Sequence, residues 1–308
     1  MGLTLLEKAC MDSPGEQISF ERQSSQDDPD DWLRFGLVLL AKIGSIIRRV
    51  RLQPLKNQVY FKEDGSPATR QESEIEMLAR EALSKFSPQA QLIGEETGGR
   101  LPEHGIAAAI DPIDGTWAFL NRSETCTTSL VFLKDSMPFL GMVLNPVTGE
   151  LAYSFSSGRT RLIQFSVFGE GNTGQDLPLD RVQSSSALIN IHPQRDAGKL
   201  VLNLFKMWNR NELNMVRLPG GSPCFALLEA AKGNFSYVNL WPGKPADPYD
   251  LAAGILLVRG AGGEVIDLSG MPIKSLEHSG PFVAGIDKKV MKCLVDVVRD
   301  NLPQNAPP

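Results

Sequence analysis

Two segments in the first third of the chain carry apolar residues at the spacing of an amphipathic helix. The first follows an acidic run at 27–31 and ends among arginines, so its charges suit the two ends of a helix dipole. Its apolar face consists of Trp32, Phe35, Leu39, Ile43, Ile46, Ile47 and Val50. The second segment runs from about Glu72 to Phe86. The pattern predicts two helices that each bury one face.

Strand-like runs follow these helices. Short runs are predicted at Gln91 to Ile93 and at Ile106 to Ile110, and the second leads directly into Asp111. Three more runs are separated by turn residues, and they span Thr125 to Leu133, Pro138 to Leu144 and Glu150 to Phe155. The first half of the chain is therefore predicted to place helices against an antiparallel-rich sheet.

The second half of the chain alternates strand and helix signals. Residues 169–186 are rich in small and polar side chains and are predicted to form a connection. Predicted strands then alternate with helices near Lys199 to Trp208, Pro223 to Lys232, Asp250 to Arg259 and Asp287 to Asn301. We expect an α+β lobe at 1–168, the connection at 169–186, and an α/β lobe at 187–308.

Composition excludes several classes of function. The net charge of −5 over 308 residues argues against a sequence-independent grip on nucleic acid, which needs clustered basic residues. The four cysteines lie far apart and favour reduced thiols over a disulfide scaffold. No apolar run approaches the ~20 residues that span a bilayer, and we expect a cytoplasmic protein without a membrane partner.

Acidic residues beside glycines and prolines are the main chemical signal. They occur in Gly94-Glu95-Glu96, in the DPIDGT stretch at 111–116, and at Asp250 before Leu251-Ala252-Ala253-Gly254. Taken singly, each has an ordinary structural explanation as a solvated loop, a capped turn or a helix cap. If the fold gathers them, their mutual repulsion calls for a positive partner. A hard divalent cation is the simplest one.

The DPIDGT stretch combines an acidic site with an anion site. Pro112 fixes one φ angle and Gly115 allows close approach of the backbone, so Asp111 and Asp114 are predicted to converge on one side of a tight turn. The N–H groups that follow can hold phosphate oxygens. Mg²⁺ between the acids and a phosphate would relieve the repulsion, and this chemistry fits hydrolysis of a phosphate monoester.

These motifs together, in this order, resemble the inositol monophosphatase family of Mg²⁺-dependent, lithium-sensitive phosphatases. The segment Lys62-Glu63-Asp64-Gly65-Ser66-Pro67-Ala68-Thr69 agrees with the resemblance, which covers roughly residues 35–295. It implies a layered αβαβα sandwich, a homodimer, two or three Mg²⁺ ions and a small phosphorylated metabolite as the substrate. Specificity for inositol phosphates, fructose 1,6-bisphosphate, a 3'(2'),5'-bisphosphate nucleotide or histidinol phosphate stays open.

The resemblance also implies a role for each motif residue. Glu95, Asp111 and the carbonyl of Ile113 would bind one metal ion, and Asp111, Asp114 and Asp250 a second. Glu95, Thr116 and Glu72 would be the catalytic residues, with Thr116 helping to activate water. Phosphate and substrate would contact Asp114, Gly115, Thr116, Gly221, Ser222, Asn239 and Lys244.

The chain departs from the family pattern in several places, including the segment 239–248, which is longer and different. Glu72 stands where most members carry an aspartate, and the stretch Thr69 to Glu72 also fits a helix capping box. Tyr249 stands where the family carries a tryptophan. A non-catalytic protein that keeps the fold and works as a binding partner is therefore the alternative to the enzyme.

Other phosphatase and hydrolase signatures are absent from the sequence. Neither Cys126 nor Cys224 has an arginine at the spacing of a cysteine-dependent phosphate loop, and Asp111 and Asp114 are separated by two residues rather than one. The sequence also lacks GxSxG and GxxxxGK[ST] motifs.

Overall fold

The computed structural model describes residues 28–53, 59–63, 65–164, 174–179, 185–190, 197–218, 222–240, 246–273, 278 and 280–302. Its seven helices in these ranges are α1 (Pro29–Arg51), α2 (Arg70–Phe86), α3 (Thr116–Leu120), α4 (Gly198–Asn209), α5 (Pro223–Ala231), α6 (Pro248–Gly260) and α7 (Lys288–Asn301). Among the described helices, none is long and apolar enough to cross a membrane.

Seven strands form the first large sheet. They are β3 (Gln91–Gly94), β4 (Ile106–Asp114), β5 (Thr127–Lys134), β6 (Met137–Leu144), β7 (Glu150–Phe155), β8 (Arg161–Gln164) and β9 (Gln175–Asp176), in that spatial order. Only the β3–β4 pair is parallel. The predicted antiparallel-rich sheet is confirmed.

The second sheet has five strands in the order β11-β10-β12-β14-β13. These strands are β10 (Ser186–Asn190), β11 (Met215–Arg217), β12 (Ser236–Asn239), β13 (Glu264–Asp267) and β14 (Phe282–Gly285). Strand β10 pairs in parallel with both of its neighbours, and β14 pairs antiparallel with β12 and β13. A separate two-stranded ribbon joins β1 (Val59–Phe61) to β2 (Pro67–Thr69).

Three apolar cores stack these elements into five layers. Helices α1 and α2 cover one face of the seven-stranded sheet, where Trp32, Phe35 and Phe132 are buried together. Helices α5 and α6 lie between the two sheets, and α4 and α7 cover the outer face of the second sheet. Alternate residues of one strand supply different cores, as period-2 geometry requires. The αβαβα sandwich is thus built from three separate interfaces.

Short elements are where the sequence pattern and the structure differ. The ribbon β1–β2, strands β8 and β9, and helix α3 are two to five residues long, too short for periodicity to show. Strand β9 lies inside the predicted connection at 169–186 and extends the first sheet. The division of the chain into two lobes at this point stays a prediction.

Candidate active site

Strand β4 places Asp111 and Asp114 in the site, but not through the predicted tight turn. The strand does not end at Ile110; it continues to Asp114 and pairs with β5 up to Asp111 and again at Asp114. Asp111 lies opposite Ser129 and Asp114 opposite Thr127, so the four residues 111–114 on β4 match three residues on β5 and form a β-bulge. The carboxylate of Asp111 accepts a 2.8 Å hydrogen bond from the N–H of Ile113. The bulge re-aims the side chains that follow it.

Gly115 turns the chain from β4 into helix α3. Its φ of +89° is a left-handed conformation that favours glycine. A Cβ atom at this position would lie 2.9 Å from the backbone nitrogen of Ser222. Thr116 is then the first residue of α3, and its hydroxyl donates a 2.9 Å hydrogen bond to Glu72 Oε1. Both the backbone angle and the space therefore require glycine.

Glu72 serves the cap of α2 and the site at the same time. It is only 1% exposed, and its Oε2 accepts a hydrogen bond from the N–H of Thr69 while Oε1 accepts the Thr116 hydroxyl. Burial raises the pKa of Glu72 to about 7, against the opposing effect of its hydrogen bonds from Thr69 and Thr116. The two interpretations of this residue, capping and catalysis, are structurally compatible because each uses one carboxylate oxygen.

Asp114 is held by residues from the start of α5. Its Oδ2 accepts hydrogen bonds from the Ser222 hydroxyl, from the N–H of Cys224 at 2.8 Å and from the Thr127 hydroxyl at 3.3 Å. Ser222 caps α5, since its hydroxyl oxygen also accepts the N–H of Phe225. Burial raises the pKa of Asp114 to about 7, although these hydrogen bonds oppose the shift. A buried carboxylate thus sits at the positive end of a helix.

Asp250 lies in the first turn of α6. The cap of this helix is Asp247, not Asp250, and Asp250 Oδ2 accepts the N–H of Asp247 at 2.9 Å. Burial, followed by the negative charges of Asp114, Asp247 and Glu95, raises the pKa of Asp250 to about 7. The preceding residue, Tyr249, is partly buried against the core between the sheets, and its carbonyl accepts the Ser129 hydroxyl at 2.6 Å. The retained aromatic ring therefore has a packing position.

Lys62 supplies a positive charge to the acids that follow β3. Its Nζ lies 2.6 Å from Glu95 Oε1 and also pairs with Glu96. Tyr60 donates a 2.8 Å hydrogen bond to Glu96. Burial disfavours the charge on Lys62, but hydrogen bonds to Glu95 and Glu96 outweigh burial and raise its pKa. The sequence pattern includes Lys62 in a matching segment but gives it no role.

A second residue missed by the sequence pattern is Glu76, which fixes the turn after β3. It is fully buried and accepts the N–H groups of Glu96 and Thr97 at 2.9 and 2.8 Å, together with the Thr97 hydroxyl at 2.6 Å. Glycine at 94 leaves room for this carboxylate. A lone glutamate within an amphipathic helix carries no signal that it will be buried, so only the fold identifies it.

The acidic residues from four parts of the chain share one electrostatic neighbourhood. Burial raises the pKa of Asp111 well above its usual range, and the charges of Glu95, Asp114, Glu72 and Asp250 raise it further. Among the described residues, no three acidic, histidine or cysteine side chains already form a metal-ligand group. The carboxylates have other partners instead, such as Lys62, the N–H of Asp247 and the start of α5.

The chemistry of this donor set fits a hard cation. It offers carboxylate oxygens alone, they are buried or partly buried, and they repel one another when ionised. Mg²⁺ and similar ions prefer such oxygen ligands.

The predicted substrate contacts are placed less completely. Gly221 and Lys244 lie outside the described residues. Asn239 is 3% exposed at the end of β12, opposite Asn190 of β10, and its Nδ2 has no hydrogen-bond partner in the part of the chain that the structure describes. Two residues earlier, Tyr237 lies close enough for the charge of Asp114 to contribute to its raised pKa, which burial dominates. Asn239 therefore belongs to a strand that reaches the acids.

Comparison with known proteins assigns the family. Residues 28–303 match the model of the inositol monophosphatase family. The chain belongs to this family. It is therefore a phosphatase, a hydrolase of phosphoric monoesters.

Relatives of this inositol monophosphatase family protein carry several substrate names. This chain is 26% identical over 282 residues to a fructose-1,6-bisphosphatase/inositol-1-monophosphatase of Thermotoga maritima. The matched region covers 88% of this chain and 98% of the relative. The chain is 27% identical over 221 residues to the 3'(2'),5'-bisphosphate nucleotidase CysQ of Aggregatibacter actinomycetemcomitans, with 70% and 77% covered. The family is thus shared by enzymes named for different substrates.

Solved structures confirm the layered fold. A Thermotoga maritima IMPase superposes with a TM-score of 0.71 at 23% identity, covering 88% of this chain and 99% of that one. An IMPase/NADP phosphatase described as complexed with Mg²⁺ and phosphate gives a TM-score of 0.70 at 19% identity, covering 90% and 98%. The predicted αβαβα sandwich is confirmed.

Proposed function

We propose that this protein is a Mg²⁺-dependent phosphomonoesterase that hydrolyses a small phosphorylated metabolite with a metal-activated water. The observation that carries the proposal is the environment of Asp111, a buried carboxyl group whose pKa is raised by burial and by the charges of four other acids. Such a group of acids is costly without a cation and useful with one. One structural relative is described as complexed with Mg²⁺ and phosphate, which supports this choice of ion.

The proposed ligands are those that the family resemblance implies. Glu95, Asp111 and the carbonyl oxygen of Ile113 would hold one ion, and Asp111, Asp114 and Asp250 a second. When bound, the ions neutralise the phosphate and polarise both it and the attacking water. The present hydrogen bonds of Asp114 to the start of α5 would keep one oxygen fixed while the other is free to bind.

Thr116 and Glu72 are proposed to position and deprotonate the water. The Thr116 hydroxyl donates a 2.9 Å hydrogen bond to Glu72, so the lone pairs of the hydroxyl oxygen remain available to accept a hydrogen bond from water. With a pKa near 7, Glu72 can take up a proton at neutral pH. The N–H groups of Gly115 and Thr116 are proposed to hold phosphate oxygens, since Gly115 turns the backbone at this point.

The substrate class remains the finer part of the proposal. The relatives' names support inositol phosphate, fructose 1,6-bisphosphate and 3'(2'),5'-bisphosphate nucleotides as candidates, and histidinol phosphate stays among them. Ser222, Asn239, Gly221 and Lys244 are proposed to contact the alcohol part. The family assignment favours the enzyme over the catalytically silent alternative.

A substrate panel tests the proposed function. We expect Mg²⁺-dependent release of phosphate from at least one of the four candidate esters, loss of release in excess chelator, and recovery when Mg²⁺ is restored. Inhibition by Li⁺ and a homodimer in light scattering are expected from the family resemblance. Absence of phosphate release from every ester, with the protein folded and Mg²⁺ present, would contradict the proposal.

A further inference from the structure

Two exposed aromatic rings lie in contact beside the candidate active site. Phe61 is 63% exposed and Trp117 is 54% exposed, and their ring centroids are 6.3 Å apart at an interplanar angle of 48°. Neither residue belongs to any of the three apolar cores among the described residues. The layered fold therefore does not account for this pair.

The chain positions of both rings tie them to the proposed chemistry. Trp117 directly follows Thr116, and Phe61 directly precedes Lys62. Tyr60 on β1 and Lys62 directly after β1 reach Glu96 and Glu95, so the alternation of the extended chain directs Phe61 to the opposite face of the ribbon, where it meets Trp117. The aromatic pair thus borders the acids without contributing a charge to them.

The geometry of the pair selects the kind of group it can bind. The rings already contact each other at 6.3 Å, so no planar group fits between them, and the available surface is the outward half of each ring. Aromatic side chains bind other planar rings by stacking, and every nucleobase can stack in this way because each has a planar π-face. A polyol such as inositol or glycerol has no planar face to match.

We propose that Phe61 and Trp117 form a stacking platform for an aromatic ring in the alcohol part of the substrate, which makes a phosphorylated nucleoside the preferred substrate class. The inference rests on the proposed phosphatase function and deepens it. Trp117 provides the main stacking face, and Phe61 braces it from the ribbon. A substrate held by phosphate at 115–116 would bring its alcohol part next to the ring at 117.

The ratio of the kcat/KM values for two phosphate esters tests the platform. The esters are adenosine 2'-phosphate, which carries a base, and glycerol 2-phosphate, which does not. Replacing Trp117 by leucine should lower the ratio of their kcat/KM values roughly tenfold, mainly through KM for the nucleotide, while phenylalanine at this position should retain much of the ratio.

The chain offers a matched control pair. Trp208 is 47% exposed and contacts Phe205 at 6.1 Å between centroids, far from the acids in sequence, on α4. Trp208→Leu should leave the kcat/KM values for both esters unchanged. Binding of adenosine 2'-phosphate, measured by isothermal titration calorimetry, should weaken in Trp117→Leu and not in Trp208→Leu.

Several outcomes would overturn the platform while leaving the phosphatase intact. These are an unchanged ratio in Trp117→Leu, an equal loss for both esters, or wild-type protein that shows no preference for the nucleotide. Conversion of a dimer to monomers by Trp117→Leu would show that a second copy covers the rings, and would also overturn it. If neither ester releases phosphate, the proposed function fails, and the calorimetric titration still decides whether the rings bind the nucleotide.

Discussion

Replacing Asp114 by asparagine should stabilise the metal-free protein at alkaline pH while it abolishes most activity. Asparagine keeps the size of the side chain and an oxygen that can accept from Ser222 and from the N–H of Cys224. It removes one negative charge from a buried site where burial is the largest cause of the raised pKa and the charge of Glu95 adds to it. Activity is lost because Asp114 is a proposed metal ligand.

The magnitude and the sign follow from the pKa of about 7 in the folded state. The ordinary value is 3.8, so the folded protein binds more protons than the unfolded chain between these two pH values, and its stability falls as pH rises through them. At 1.36 kcal/mol per pKa unit, ionisation of Asp114 lowers the free energy of unfolding of the wild type by at most about 4 kcal/mol above pH 7. Less than half of this loss has accumulated at pH 5. The increase in the free energy of unfolding caused by the substitution should therefore be larger at pH 8 than at pH 5, by on the order of 2 kcal/mol.

Urea unfolding in excess chelator measures this difference at the two pH values. A matched control is Asp267→Asn, since Asp267 is the last residue of β13 and hydrogen bonds from Ser269 and the N–H of Met271 lower its pKa against burial. That variant should lose stability at pH 8 and should keep activity. If Asp114→Asn unfolds at lower urea at both pH values, the carboxylate is a structural cap and the electrostatic reasoning is wrong.

Three further predictions address the metal, the proton acceptor and the glycine turn. Saturating Mg²⁺ should raise the melting temperature more at pH 8 than at pH 5, because Asp114 and Asp250, with pKa values near 7, must lose protons to bind it; equal shifts would refute this. Glu72→Gln keeps the N–H of Thr69 bonded but should lower kcat about 100-fold or more with little change in KM, and a loss of stability without a loss of kcat would indicate capping alone. Gly115→Ala should cost roughly 1–3 kcal/mol in urea unfolding, and more than Gly65→Ala, which has a similar positive φ but open space; equal costs would show that the contact with Ser222 is unimportant.

The layers of the fold were predictable because each depends on local periodicity. The face of α1 that begins with Trp32 and Phe35 is the face that the structure buries, and the strands from β5 to β7 lie within one or two residues of the runs predicted between turn residues. The order of strands within the second sheet depends on contacts between distant segments, for example the pairing of β12 with β14. Sequence alone also left α3 undefined, since five residues give no helical period.

The candidate site was predictable in its members and unpredictable in their bonds. Motif chemistry selects Glu95, Asp111, Asp114 and Asp250, and the charges of the other three add to burial in raising the pKa of Asp111. The second partners come from elsewhere, as with Ser222 on Asp114 and Thr116 on Glu72. Such contacts join residues 108 and 44 positions apart, so no local pattern encodes them.

The bulge in β4 shows why composition and spacing together stop short of geometry. In a regular strand, residues three apart point to opposite faces, so Asp111 and Asp114 would be separated by the sheet. The register with β5 shifts between Ser129 and Thr127, and this shift lets the charge of Asp114 act on Asp111. The local sequence supplies the proline and glycine that flank the change, but the strand that enforces it begins thirteen residues beyond Asp114. The convergence of the two aspartates is therefore a property of the sheet rather than of the motif.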